Sequence, residues 1–188
     1  MKSVVMTGPG CVEIREVPIP RRKPGETLLR LLFGGICGSD LGSYRGTNFY
    51  VSYPRTIGHE FSAEVVETDS AELRPGQLVT CNPYFNCGSC YSCRRGFVNC
   101  CVNNQTMGVQ REGAFAEYIT VPTERVYSGE GIDPRELALI EPFCISHHGV
   151  SRAAVQPGEK VLVMGAGAIG LLAAETARLQ GAKVYIAD

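Results

Sequence analysis

Five of the nine cysteines fall within the fifteen residues from Cys87 to Cys101. Cys87, Cys90, Cys93 and Cys101 follow the spacing C-x2-C-x2-C-x7-C. Four thiolates at such spacing can close a tetrahedral shell around zinc and leave no coordination position for chemistry. The two-residue gaps let a tight loop turn several sulfurs toward one centre, and Gly88 and Gly96 supply the backbone freedom that loop needs. Cys100 is left over, because a sequence neighbour points away from the centre its partner ligates. Disulfides are the competing reading. An odd cysteine count and the lack of a secretory signal argue against them. A closed site of this kind braces a lobe and does not catalyse.

The chain of 188 residues is long enough for one full core and part of a second domain. Its 44% hydrophobic and 20% charged content is that of an ordinary globular protein. A net charge of -1 without a basic run argues against nucleic acid or an anionic membrane surface as partner. No apolar run is long enough to span a bilayer. The start of the chain, with a short apolar run from Val4 to Met6, does not read as a signal peptide. Nine cysteines without export point to a reducing cytoplasm.

Residues 1–122 read as short strands punctuated by turns, a barrel-like or sandwich-like pattern. Strands are expected at 3–6, 12–17, 27–33, 61–68, 77–81 and 115–121, with a short helix after Asp40. The character then changes. Pro134 starts a helical run that stops near Pro142, and 145–154 is helical again. Lys160–Met164 is a buried strand, a helix runs to Gln180, Gly181 fits its C-cap, and Lys183–Ala187 is a second strand.

The turn between that strand and helix is Gly165-Ala166-Gly167-Ala168-Ile169-Gly170. A G-x-G-x-x-G alone is weak evidence, but here it follows a strand, opens a helix and sits in a βαβ unit. Gly165 makes the tight turn, Gly167 admits a pyrophosphate to the backbone, and Gly170 lets helix and strand pack closely. The helix N-terminus offers free N–H groups to the phosphates. Asp188, eighteen residues past the last glycine, ends the second strand. It would accept the ribose hydroxyls and repel an extra phosphate, which favours NAD. A glycine-rich connection that only packs is the plainer alternative. A doubly wound sheet needs more strands than these, so the chain is expected to be the N-terminal portion of a longer one.

Cys37, the pair His59-Glu60, and Glu141 are the remaining metal-ligand types that stand out. A catalytic zinc takes three protein ligands and keeps one position open. Singly, each residue has a plainer reading: Cys37 a small core residue, His59 a satisfied turn histidine, Glu141 a helix end before Pro142. Taken in order, Gly35-Ile36-Cys37-Gly38-Ser39-Asp40, Gly58-His59-Glu60, the four-cysteine lobe, Glu141-Pro142 and the glycine motif resemble the zinc-containing medium-chain alcohol dehydrogenases. The resemblance spans essentially the whole chain, and within the superfamily it is to the polyol, threonine and sugar-acid branch, L-galactonate-type oxidoreductases above all.

The resemblance implies a mixed fold. A GroES-like β-rich catalytic domain is expected over 1–150, with its structural zinc lobe at 87–101. Residues 151–188 would supply the start, one βαβ unit, of a Rossmann NAD-binding domain. It implies two zinc ions per chain, NAD, a small polyol or sugar-acid substrate, and a homo-oligomeric full-length form. It carries a catalytic zinc onto Cys37 and His59, with Glu60 or Glu141 as the carboxylate. Ser39 matches the hydroxyl that relays the substrate proton, and Asp40 the carboxylate that orients the ligand histidine. His147 and His148 read as structural. Polyol dehydrogenases often carry a tyrosine where this chain has Ser43, which makes sorbitol a doubtful substrate. Tyr50, Arg55 and Arg111 could reach a substrate, although loop residues of these types more often pack or face solvent. A non-catalytic zinc-braced binding module, and an L-threonine or simple alcohol dehydrogenase, are the alternatives.

Overall fold

A computed structural model describes residues 1–188. They form two compact units, Met1–Ala138 and Leu139–Asp188. The first is β-rich. Its strands and short helices run in the order β1 (Lys2–Gly8), β2 (Cys11–Glu16), β3 (Glu26–Gly35), α1 (Gly38–Tyr44), β4 (Arg55–Thr56), β5 (Glu60–Glu67), β6 (Leu78–Cys81), β7 (Tyr84–Phe85), α2 (Tyr91–Arg94), β8 (Gln105–Thr106), β9 (Tyr118–Pro122), β10 (Val126–Ser128) and α3 (Pro134–Leu137). Five of these strands make one sheet in the order β10-β6-β5-β3-β9, and β2-β1-β4 make a second.

Side-chain period decides which strands lie at the centre. β9 alternates, with Ile119 and Val121 buried and their neighbours half-buried, as a strand with one core face should. β5 is buried at Phe61, Ser62 and Ala63 in succession, because it lies mid-sheet and is covered on both faces. β2 is exposed along its whole length at the edge of its hairpin. Leu29, Phe61, Ala63, Val65, Val79, Ile119 and Val121 meet in one core.

The second unit runs α4 (Ile140–Arg152), β11 (Lys160–Met164), α5 (Ala168–Leu179) and β12 (Lys183–Ala187). β11 and β12 pair in parallel from Lys160↔Lys183 to Met164↔Ala187, with α5 as the crossover, so the βαβ reading holds. Val150, Ala177 and Ala182 form its small core. No helix is long and apolar enough to cross a membrane.

Three local expectations shift. Helix α4 starts at Ile140 and runs through Pro142, where the sequence suggested a stop. Pro142 sits in the first turn, whose N–H groups have no intrahelical acceptor, so its missing donor costs nothing. The strand expected from Phe115 begins at Tyr118. Ahead of it, Gly113, Ala114 and Phe115 donate their N–H groups to the carbonyls of Thr56, Gly58 and Ile57. The units divide at Ala138, earlier than residue 150, because α4 packs its Val150 against Ala177 of α5.

Two measurements follow from this core. Leu29 is 0% exposed, and Leu29→Ala should cost about 2–5 kcal/mol in urea denaturation. Ile14, 72% exposed on β2, should change stability by no more than about 0.5 kcal/mol when cut to Ala. Cys81 lies in the same core, and burial pushes its thiol up to about 12. At pH 8 only about one part in ten thousand of that thiol is ionised. Brief native alkylation followed by peptide mapping should label exposed Cys11 and spare Cys81 until the chain is denatured.

Candidate metal centre and nucleotide cradle

The antiparallel pairing of β3 with β5 brings together residues far apart in sequence. Phe33↔Ser62, Gly34↔Phe61 and Gly35↔Glu60 are cross-strand partners. The C-terminal end of β3 therefore lies beside the N-terminal end of β5. Cys37 follows the first and His59 precedes the second. The sulfur of Cys37, a ring nitrogen of His59 and a carboxylate oxygen of Glu60 all lie within 4.8 Å of one another.

This group is polar and largely buried, with Cys37 half-buried and Asp40 beside it. Asp40, His59 and Glu60 are 3%, 5% and 8% exposed. Buried ionisable groups are tolerated where charges are compensated. One thiol, one imidazole and one carboxylate form a donor set that suits zinc, and three protein ligands leave a position open. The residues therefore fit the metal.

Helix α1 orients the group. Its first-turn Asp40 reaches back to accept the N–H of Cys37 at 3.0 Å. Another Asp40 oxygen stands 4.0 Å from Nδ1 of His59. A carboxylate on that side favours the tautomer with its proton on Nδ1, which leaves the Nε2 lone pair for a metal. The Ser39 hydroxyl lies 3.5 Å from Nε2. One turn on, Ser43 is buried. Its hydroxyl donates to the Ser39 carbonyl at 3.0 Å and accepts from the Asn48 side-chain amide at 3.0 Å, while the Tyr53 hydroxyl donates to the Ser43 carbonyl. Ser43 thus ties the following loop to α1. That loop leaves Phe49 and Tyr50 to solvent, at 94% and 78% exposure.

One constraint was not read from the sequence. A Cβ on Gly35 would sit 2.5 Å from Oε2 of Glu60 and 3.1 Å from its Cβ. Gly35 is the empty space across which the Glu60 side chain lies. A glycine pair inside a strand is the signal that could have revealed it, since such glycines mark close approach of another group. Glu141 is buried in the first turn of α4, in the second unit. Arg55 and Arg111 are otherwise engaged. Arg55 pairs with Glu112 at 2.6 Å and donates to Ser52 at 2.7 Å. Arg111 stacks over the Phe85 ring at 4.1 Å.

The four-cysteine lobe gathers the expected sulfurs. Those of Cys87, Cys90, Cys93 and Cys101 lie within 4.8 Å of one another, and Cys100 is exposed outside the group. No cysteine forms a disulfide. Backbone N–H groups aim at the sulfurs: Cys87 N–H lies 3.3 Å from the Cys101 sulfur, and Cys90 N–H 3.4 Å from that of Cys87. Hydrogen bonds from the Ser89 backbone and hydroxyl, with that of Cys90, pull the Cys87 thiol down to about 5. These donors favour thiolate at Cys87, the form that binds zinc, whereas burial and then the neighbouring Cys90 and Cys101 thiols push Cys93 up to about 11.

In the second unit Gly165 has φ +101°, a conformation that favours glycine. A Cβ on Gly170 would collide with the Gly165 carbonyl oxygen. A Cβ on Gly167, the N-cap of α5, would meet nothing within 4 Å. Two glycines are thus required by the fold itself, while Gly167 leaves the start of the helix uncovered. Ala168 and Ile169 begin that helix, and the Asp188 carboxylate accepts the Ala166 N–H at 3.1 Å. The cradle fits a dinucleotide pyrophosphate.

Residues 23–130 match the alcohol dehydrogenase GroES-like domain. The chain is 46% identical over 176 residues to L-galactonate-5-dehydrogenase of Escherichia coli, covering 93% of this chain and 51% of that protein. It superposes with a TM-score of 0.92 on galactitol-1-phosphate dehydrogenase from Escherichia coli, at 36% identity, over 99% of this chain and 55% of the other. Against the alcohol dehydrogenase rspB from E. coli CFT073, complexed with NADH, the TM-score is 0.93 at 35% identity, over 100% and 56% of the two chains. The chain spans about half the length of the curated relatives it matches.

Proposed function

The chain belongs to the alcohol dehydrogenase GroES-like domain family, in its zinc-type medium-chain branch, and from that premise we propose that it serves hydride transfer between a secondary alcohol of a polyol or sugar acid and NAD. The observation that carries the reading is the convergence of Cys37, His59 and Glu60 at the paired ends of β3 and β5. Cys87, Cys90, Cys93 and Cys101 would hold a second, purely structural zinc. A lobe with no disulfide suits a reducing cytoplasm.

When bound at the open group, zinc would act as a Lewis acid toward the substrate hydroxyl, and the nicotinamide would accept the hydride. The remaining work falls to the chain's own residues. Asp40 stands 4.0 Å from Nδ1 of His59, where its charge would favour one orientation of the ring, and it caps α1 at the same time. Ser39, beside the ligand nitrogen, takes the proton that the substrate hydroxyl releases and passes it toward solvent. Glu60 lies across Gly35 and supplies the carboxylate. Gly165, Gly167 and Gly170, with the N–H groups that open α5, hold the pyrophosphate. Asp188 would accept ribose hydroxyls, and its negative charge would favour NAD over its phosphorylated form.

The substrate class rests on the similarity to L-galactonate-5-dehydrogenase and galactitol-1-phosphate dehydrogenase. A multiply hydroxylated chain with or without an anionic end is the chemistry those names share. Ser43, where many polyol dehydrogenases carry tyrosine, is occupied in binding the 48–53 loop, which leaves Tyr44, Phe49 and Tyr50 as the exposed aromatic surface near α1.

Elemental analysis tests the metal assignment. The wild-type chain should hold about two zinc ions and Cys37→Ala about one, because the closed lobe keeps its own. One zinc in both proteins would contradict an open site at Cys37. The carboxylate is tested in the same way. Glu60→Gln should lose most of the second zinc at submicromolar free metal, and Glu141→Gln should retain it. The reverse pattern would move the ligand to Glu141.

A further inference from the structure

The Phe115 ring occupies the space that side chains on two glycines would fill. A Cβ on Gly34 would lie 2.6 Å from Cε1 of Phe115 and 3.1 Å from Cδ1. A Cβ on Gly58 would overlap the same edge of the ring. Gly34 is in β3, three residues before Cys37. Gly58 immediately precedes His59. One aromatic ring therefore rests on both backbone segments that deliver the metal-ligating group.

The contact is fixed from behind. The Phe115 N–H donates to the Ile57 carbonyl at 2.9 Å, and the Phe115 carbonyl accepts the Val4 N–H at 2.8 Å. Ala114 N–H donates to the Gly58 carbonyl at 2.9 Å, and Gly113 N–H to the Thr56 carbonyl at 2.7 Å. Gly58, at φ +96°, is closed in on another side by Gly108, on which a Cβ would stand 2.8 Å from the Gly58 nitrogen. The turn before His59 thus has no slack. The backbone holds Phe115 against it, and the ring holds the turn at a set distance from Gly34.

We infer that Phe115 is a positioning residue for the Cys37–His59–Glu60 group, acting as a spacer between the β3 end and the His59 turn. It donates nothing to a metal. It fixes how far apart the two ligand-bearing segments stand, and metal affinity is sensitive to small errors in that separation. This role rests on the metal reading proposed above.

The test uses the metal-stripped chain and titrates Co(II). The four-thiolate lobe and the one-thiolate open group absorb differently, so each site is read by itself and the lobe is the internal control. Phe115→Leu should weaken Co(II) binding at the open group by about tenfold or more, with a shifted ligand-field spectrum, and leave the lobe unchanged. Phe115→Tyr, which keeps the ring, should behave as wild type. Gly34→Ala adds a methyl group against the ring at a position with no positive φ, and should produce a similar weakening. Combined with Phe115→Leu, which clears that space, it should recover much of the lost affinity. This compensation is what loose packing or general instability would not give.

Unchanged affinity at the open group in Phe115→Leu and Gly34→Ala would overturn the inference while leaving the metal site standing. Equal losses at both sites, or a double variant that loses the sum of the singles, would reduce Phe115 to an ordinary packing residue. A wild-type chain that binds Co(II) only at the lobe would overturn the metal reading and the positioning role together.

Discussion

The candidate centre depends on one pairing, β3 against β5. In an antiparallel pair the end of one strand lies beside the start of the other, and the register decides which residues meet there. The register Gly35↔Glu60 sets Cys37 beside His59. It is reached through irregularities between Leu28 and Leu29 and between Leu31 and Phe33. A slip of one residue would turn Glu60 to the opposite face and place a Cβ-bearing residue where the carboxylate now lies. The glycines at the end of β3 admit what comes from the facing side: the Phe115 ring over Gly34 and the Glu60 carboxylate over Gly35.

The two sulfur-bearing groups are built on opposite principles. The open group is mixed in donor chemistry and sunk beside the main core, with Asp40 serving both the α1 cap and the His59 ring. Its geometry comes from sheet pairing. The lobe has little core of its own, and Tyr91, Phe97 and Val102 are exposed around it. Its four sulfurs are drawn together by short turns and by N–H groups aimed at them. A shell of sulfur alone suits a brace, whereas a single thiolate with nitrogen and oxygen donors leaves a metal the harder, more acidic partner for an oxygen substrate.

The second unit obeys a simpler rule, that of close approach. Gly165 turns the chain into a left-handed conformation, Gly170 lets α5 lie on β11, and Gly167 stays open at the helix start. Of these, only Gly167 is free of a steric demand from the fold. Its place at the start of α5 is where the proposed pyrophosphate site would need a small residue.

What depends on short-range chemistry was legible in the sequence. The cysteine spacing identified the lobe, alternation and turn residues marked most strands, and the strand–glycine–helix order announced the βαβ crossover. Spacing alone offers Cys37, His59 and Glu60 only as ligand types, since strand register is what puts residues 22 apart within reach; it is the family resemblance that groups them, with Glu60 and Glu141 left as alternatives. Local pattern also misjudged places where a long-range bond overrides propensity. Pro142 looks like a stop although the N–H groups of a first helical turn have no intrahelical bond to lose, and Phe115 looks like a strand residue although its backbone is bound across to Ile57 and Val4. The sequence by itself thus determined which chemical groups the protein possesses and the turns that can present them. Only the tertiary structure decided which of those groups share a site, because β3–β5 pairing and the wedge of Phe115 between two glycines are contacts between segments that no local spacing encodes.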